Sequence, residues 1–364
     1  MSAACWRNFI ATGLPSSLSL LTLLEDAEAR RFLLLSAAFV SIMQISAIIE
    51  EYIYVELPGF DGFYWTVALV ELAIFAISAW LARWKEFGLF GALRQPVVAP
   101  MRLYVAMAVL LGLSQGLGKV TFRYMNYATN TIIKSAKLVP TLLISVLWLR
   151  RKISLPEWAA AVLLVTSTAL FSLGEKAATP SFNPAGLGIA AVQLLFAALQ
   201  GNLQEKALKD HGAPISEALA YSNLMGVFVV MVGVQVSGEM GPALSFFGSS
   251  PLALGLLLLR SCTFFLGALA LIALTKEYGT GAATAVGTAR KSLTVLLSFL
   301  IFPKPFHVNY VLGTLAFVLA DIIYLQVSSA RAAARSKVSA DVEPNDLGLP
   351  RPGKDKENYA KDDV

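Results

Sequence analysis

Long apolar segments recur along this chain and constrain its fold more than any other feature. Between Phe32 and Asp321 they repeatedly reach the length of about 20 residues that a helix needs to cross a bilayer. Hydrophobic residues make up 56% of the 364, against about 45 to 50% in soluble domains. Backbone amides in hydrocarbon must bond within the structure, which leaves helices or a closed barrel. The unbroken runs predict an all-α membrane protein.

The spacing of the apolar runs predicts ten transmembrane helices. The predicted spans are 32–55, 62–82, 101–118, 126–149, 156–173, 185–207, 217–237, 251–274, 280–302 and 307–327. Residues 1–31 precede them and have no signal-peptide pattern, because acidic residues rather than a cleavage site follow their short apolar run. Residues 328–364, rich in charges, Pro and Gly, are predicted to form a disordered tail.

The distribution of Lys and Arg predicts the orientation of the chain. With a cytosolic N-terminus, most basic loop residues fall on the cytosolic side, and the lumenal side receives mainly Lys119, Arg123, Lys176 and Lys304. This bias matches the positive-inside rule with both termini in the cytosol. It also accounts for the net charge of +5 without a nucleic-acid partner.

The two halves of the chain look duplicated. A shift of 154 positions aligns three pairs, Glu51 with Glu205, Tyr124 with Tyr278, and Lys137 with Lys291. We therefore predict five-helix repeats at 32–173 and 185–327, joined by a lumenal linker at 174–184. Five is odd, so the second copy enters the membrane inverted, a plan in which substrate binds near the midplane. The alternative is a repeat that survives from ancestry without symmetric function.

The residues that usually support an enzyme or a metal site are scarce in this sequence. It holds two cysteines, Cys5 and Cys262, and two histidines, which argues against a disulfide framework or a metal cluster. The segment GLSQGLGKVT fails as a phosphate loop because Leu113 and Val120 occupy required Gly and Ser/Thr positions. We therefore predict no catalytic residue, no metal and no cofactor.

Four cations fall in the middle of predicted spans. Lys134 and Lys137 lie three residues apart in the fourth span, on one helical face, and Arg290 and Lys291 lie in the ninth. Each cation costs about 2.5 to 3.5 kcal/mol at the bilayer centre, so the four cost on the order of 10 kcal/mol if they face lipid. They are therefore expected to face protein, water or an anion.

A static network with buried carboxylates is one way to satisfy these cations. The candidate partners Glu51, Glu71 and Glu205 are few and mostly lie away from mid-depth, so a positive centre remains that suits a phosphate-rich substrate. Glu51 and Glu205 could act as gates, or simply pair at helix ends. Glu71 and Arg260 could pair between the second and eighth spans.

Three tyrosines flank the cation-bearing spans and could contact a nucleotide base. Tyr124, Tyr127 and Tyr278 offer the flat apolar surface on which a base stacks. Aromatic residues near helix ends also form the interfacial belt of membrane proteins, so both interpretations stay open.

Three segments resemble a known family. YMNYATNTIIKSAKLVPTLL, NPAGLGIAAVQLLFAALQGNLQEKALKDHGAP and GTARKSLTVLLSFLIFPKPF are similar to the nucleotide-sugar transporters, specifically the branch that carries 3'-phosphoadenosine 5'-phosphosulfate (PAPS), and most closely its second animal type. The likeness runs from about Ala38 to Gln326. It implies the drug/metabolite transporter fold and a Golgi carrier that imports PAPS in exchange for an adenosine nucleotide.

The resemblance also implies roles for particular residues. Lys134, Lys137, Arg290 and Lys291 would bind phosphate and sulfate groups. The family usually has Gln where this chain has Glu50 and Glu71, a departure for which Arg123 and Arg260 could compensate. Rival functions are exchange of a UDP-sugar or of ATP and ADP, and, from other classes, an embedded enzyme or a scaffold that does not transport.

Overall fold

The computed structural model describes residues 27–60, 62–88, 95–147, 153–178, 183–302 and 307–341, and regular structure in these ranges is helical. The helices are α1 (Ala27–Val55), α2 (Tyr64–Phe87), α3 (Met101–Val120), α4 (Tyr127–Ser135), α5 (Leu138–Leu147), α6 (Leu155–Ala178), α7 (Ala185–Lys209), α8 (Ile215–Val236), α9 (Met240–Ser249), α10 (Pro251–Ile301) and α11 (Val308–Asp341). A 3-10 turn, Thr121–Arg123, follows α3.

Seven helical segments in the described part of the chain are long and apolar enough to cross a membrane. They are Arg30–Val55, Tyr64–Phe87, Met101–Arg123, Leu155–Ala178, Ala185–Leu208, Ile215–Val236 and Pro251–Tyr278. A shorter apolar helical segment covers Val308–Tyr324. The prediction of an all-helical, multi-pass membrane protein is confirmed, while the count of ten spans stays a prediction.

The fourth predicted span is broken into two helices. Ala136 and Lys137 form a turn between α4 and α5. Pro140 has no N–H with which to continue the helix to the carbonyl of Ala136, and the N–H of Val139 donates to that carbonyl instead, at 2.9 Å. Lys134 therefore lies in the last turn of α4 and Lys137 in the break, which corrects the expectation of one continuous helical face.

The predicted spans 251–274 and 280–302 belong to one helical element, α10, whose 51 residues would be about 76 Å long if straight. Its contacts with α1 exclude a straight axis. The hydroxyl of Ser46 donates to the Arg260 carbonyl at 3.1 Å, and that of Thr294 donates to Gln44 at 2.9 Å. Gln44 and Ser46 are two residues apart on α1, yet they bond to parts of α10 that are 34 residues apart. The element must therefore reverse direction, so that two arms of α10 lie side by side along α1.

The reversal of α10 lies near the N-terminal end of α1. Phe32 packs there with Leu274 from the first arm and Ala283 from the second. Tyr278, between them in sequence, contacts Phe32 edge-on with ring centroids 5.0 Å apart. The element thus makes two passes alongside α1, as two predicted spans require.

The last helix extends beyond the predicted end of the membrane domain. α11 continues to Asp341, so residues 328–341, which the sequence analysis assigned to a disordered tail, are helical. The segment is rich in Ala, which has the highest helix propensity and favours continuation of the helix without membrane burial. Residues 342–364 of that predicted tail lie outside the described residues.

Small residues allow α2, α3 and α8 to approach closely around Trp65. A methyl group at either Gly116 of α3 or Gly233 of α8 would overlap the Trp65 indole ring of α2. Membrane helices commonly use glycine in this way because packing, rather than hydrophobic burial, holds them together.

Substitution of Gly116 or Gly233 by Ala is therefore expected to destabilise the protein by about 1 to 3 kcal/mol, because the rigid indole ring must move. Gly188→Ala on α7 is the matched control, since no side chain or neighbouring backbone lies within 4 Å of its added methyl group. Thermal melting in detergent measures the difference. Equal melting temperatures for all three variants would contradict this packing.

Candidate functional site

Four buried charges from four helices form a closed network, here called the charge cluster: Glu50 of α1, Glu71 of α2, Lys119 of α3 and Arg260 of α10. The Lys119 ammonium contacts Glu50 and lies 2.9 Å from Glu71. The Arg260 guanidinium contacts Glu71 and lies 2.9 Å from Glu50. Each cation thus bridges both carboxylates, and the formal charges sum to zero. Buried charges are tolerated when they are paired in this way.

The pair that the sequence suggested, Glu71 with Arg260, is present in the charge cluster. Arg260 and Lys119 together therefore neutralise the additional carboxylates, whereas Arg123 is exposed and does not join the charge cluster. Sequence reasoning missed Lys119, which it assigned to the lumenal side, and the pairing of Lys119 with Glu50. The available signal was Glu50 inside a predicted span, where an ionisable residue requires a partner, with Lys119 directly after the end of another span.

Tyr127 links the charge cluster to a column of aromatic rings. Its hydroxyl donates to Glu50 Oε2 at 3.2 Å. Its ring stacks on Phe122, with centroids 5.3 Å apart and planes inclined by 4°. Phe122 in turn stacks on Tyr54 at 4.5 Å, and the Lys134 ammonium lies 4.7 Å from the centroid of Phe122. Lys134 is thereby placed beside the neutral cluster.

The structure brings only one of the three predicted tyrosines to this region. Tyr278 packs against Phe32 near the N-terminal end of α1, 18 residues before Glu50, which corresponds to about 27 Å along the helix. Tyr124 lies where α7 begins, and its carbonyl accepts a hydrogen bond from the Asn183 N–H at 3.4 Å.

The other three predicted cations form a second group. Lys291 is within electrostatic range of Arg290 and Lys137, and Arg290 is also within electrostatic range of Tyr127 and Glu50 at the charge cluster. The Lys137 ammonium lies 3.9 Å from the position that a Cβ on Gly201 would occupy, so it faces α7. The Arg290 carbonyl accepts a hydrogen bond from the Gln44 amide at 2.8 Å, while its Nε is buried without a hydrogen-bond partner.

The four predicted cations differ from those of the charge cluster in their partners. Among the described residues, no carboxylate oxygen lies within 4 Å of the charged nitrogens of Lys134, Lys137, Arg290 or Lys291. The carboxylate that acts electrostatically on Lys291 is Asp321 of α11, whose Oδ2 is buried without a hydrogen-bond partner. The sequence analysis also missed Asp321, although its position within an apolar span was a signal.

The two candidate gating residues lie in different surroundings. Glu51 is buried and accepts a hydrogen bond from the Ser298 hydroxyl at 2.7 Å, between α1 and the second arm of α10. Glu205 is exposed on α7. Neither forms a described ion pair with the four cations.

Seven apolar helical segments long enough to cross a membrane, together with a helix that is broken beside basic residues, form an architecture typical of membrane transporters. The chain belongs to the UAA transporter family, whose model matches residues 31–328. Similar curated proteins are named adenosine 3'-phospho 5'-phosphosulfate transporter 2. The protein of Aedes aegypti is 33% identical over 83% of this chain and 77% of its own length. The protein of Mus musculus is 32% identical over 83% of this chain and 80% of its own length. The protein of Homo sapiens is 31% identical over 82% of this chain and 72% of its own length. The resemblance to PAPS transporters is confirmed, and the family is one of transporters rather than of enzymes.

Proposed function

We propose that this protein is an antiporter that carries PAPS from the cytosol into the Golgi lumen in exchange for an adenosine nucleotide. The observation that carries the proposal is the group formed by Lys137, Arg290 and Lys291, which has no carboxylate within ion-pairing distance among the described residues. PAPS presents phosphate and sulfate oxygens, and such oxyanions match Lys and Arg donors in a region of low dielectric. The names of the curated relatives point to the same substrate.

The proposed binding mode assigns the anionic groups and the base to different parts of the site. The anionic groups of the substrate would be held by Lys137, Arg290 and Lys291. Lys134 would bind an anionic group on the side of the site next to the charge cluster. The aromatic column beside Lys134, with Tyr127 as its substrate-facing ring, offers the base a flat surface. Tyr124, where α7 begins, and Tyr278, near the N-terminal end of α1, also stay proposed contacts of the substrate.

We further propose ten spans with both termini in the cytosol. Seven spans come from the long apolar segments, and α4 with α5, the second arm of α10 and the apolar part of α11 supply three more. Helix packing supports two inverted repeats of five. Equivalent helices of the two repeats pack together: the second helices are α2 and α8, the fifth are α6 and α11, and the fourth are α4 and the second arm of α10. The first helix of each repeat packs against the third helix of the other repeat: α1 packs against α10, and α7 packs against α3. Such reciprocity is the mark of a two-fold relation.

A binding experiment separates this proposal from its nearest rivals, exchange of a UDP-sugar or of ATP and ADP. A ligand present at 100 times its Kd stabilises the folded state by about 2.7 kcal/mol. We expect PAPS and adenosine 3',5'-bisphosphate to raise the melting temperature of the detergent-purified protein, and UDP-glucose at equal concentration to leave it unchanged. Lys137→Met should abolish the shift. Stronger stabilisation by UDP-glucose or by ATP would overturn the substrate assignment while retaining a nucleotide site.

A further inference from the structure

We propose that Glu50 is an internal counter-anion of the substrate site, and that it sets how many negative charges on a nucleotide the site favours. This inference rests on the proposed function as a nucleotide carrier. It concerns selection between nucleotides that carry the same base and differ in charge.

Two cations of the charge cluster are neutralised by carboxylates and therefore do not attract the substrate. Lys119 and Arg260 are buried, and each bridges Glu50 and Glu71. Their formal charge is fully offset by the two carboxylates, so the positive potential available to a substrate comes from the other cations. Loss of one carboxylate changes the net charge of the cluster from zero to +1.

Glu50 is the carboxylate of the cluster that also faces the proposed substrate site. Its Oε2 accepts the Tyr127 hydroxyl at 3.2 Å, and Lys134 acts on it electrostatically. Arg290, from the second cation group, is also within its electrostatic range. Glu71 also acts electrostatically on Lys134, but its ion pairs are with Lys119 and Arg260 inside the cluster, and the Tyr127 hydroxyl bonds to Glu50 instead. A change of charge at Glu50 therefore changes the electrostatic potential at the groups that are proposed to hold the substrate.

Removal of the negative charge of Glu50 should raise the affinity of the site for the more highly charged nucleotide. Glu50→Gln has nearly the same shape, retains an oxygen for Tyr127 and adds one net positive charge near Lys134. At an effective dielectric constant of about 20, one charge at a separation of about 8 Å changes the affinity for an added substrate charge on the order of tenfold or more. Lys119→Met removes a positive charge from the same cluster and should act in the opposite direction.

The test compares two competitors that share adenosine but differ by one phosphate group. AMP and adenosine 3',5'-bisphosphate compete with labelled adenosine 3',5'-bisphosphate for uptake into proteoliposomes, and the ratio of their half-inhibitory concentrations is measured. Glu50→Gln should shift that ratio at least tenfold towards the bisphosphate, and Lys119→Met at least tenfold towards AMP. Glu50→Gln/Lys119→Met should return it to within about threefold of wild type. Glu71→Gln should shift the ratio in the same direction as Glu50→Gln, but less.

A purely structural role of the cluster changes the amount of active carrier and leaves this ratio unchanged. Opposite shifts in the two single variants support the proposal, and an unchanged ratio or shifts of one sign overturn it. If Glu50→Gln is not recovered as folded protein, Lys119→Met, the balanced double variant and Glu71→Gln carry the same test. A wild-type protein that takes up no adenosine nucleotide refutes the proposed function instead, so the two failures are distinguishable.

Discussion

Replacement of Lys137 by Met is expected to lower nucleotide exchange at least about thirtyfold while the protein remains folded. Loss of a buried, charge-assisted contact to the substrate costs about 2 kcal/mol or more, which corresponds to that factor. Folding should survive because Lys137 forms no ion pair with a described carboxylate, and removal of a buried cation relieves its desolvation. Initial exchange rates in proteoliposomes, normalised to the amount of reconstituted protein, measure the effect.

The same loss is expected for Lys291→Met, with one additional requirement. Because Asp321 acts on Lys291, the variant Lys291→Met/Asp321→Asn is included to keep the local charge balanced. Lys206→Met, an exposed position on α7, is the matched control and should retain wild-type exchange. Inactivity caused by failure of the Lys137 and Lys291 variants to insert would contradict the account and favour a static ionic role for these residues.

Arg260→Met is expected to destabilise the protein by about 3 to 5 kcal/mol, since it leaves two buried carboxylates with Lys119 as their remaining cation in the charge cluster. The charge-balanced variant Glu71→Gln/Arg260→Met should lose distinctly less stability, because each remaining charge keeps a partner. Melting temperatures in detergent compare the two. A double variant that is less stable than Arg260→Met would show that the cluster does not act as a charge-balanced unit.

The sequence predicts those parts of the fold that depend on local pattern. Hydropathy identifies the apolar segments, and the missing N–H of Pro140 is the local feature that interrupts the helix of the fourth span. It does not predict that the break falls at Ala136 and Lys137, because that position depends on how α4 and α5 pack. The reversal within α10 follows from the two predicted spans 251–274 and 280–302, whereas the packing of both arms along α1 depends on contacts between residues distant in sequence.

The candidate site was less predictable because it depends on the rotation of helices about their axes. Mid-span position was sufficient to select Lys134, Lys137, Arg290 and Lys291, since the cost of a charge in a bilayer depends on depth. The proximity of Lys119 to Glu50 requires the facing sides of α1 and α3, which hydropathy does not provide. For the same reason the three tyrosines looked equivalent in sequence, although only Tyr127 lies beside the charge cluster.

Uptake of labelled PAPS into proteoliposomes preloaded in turn with adenosine 3',5'-bisphosphate, AMP, ATP and UMP tests the central claim most directly. Empty vesicles and vesicles that carry the Lys137→Met protein provide the background. The account predicts saturable PAPS uptake that is stimulated by internal adenosine nucleotides and not by UMP. Absence of PAPS uptake, with UMP or ATP driving exchange of a different nucleotide, would contradict it.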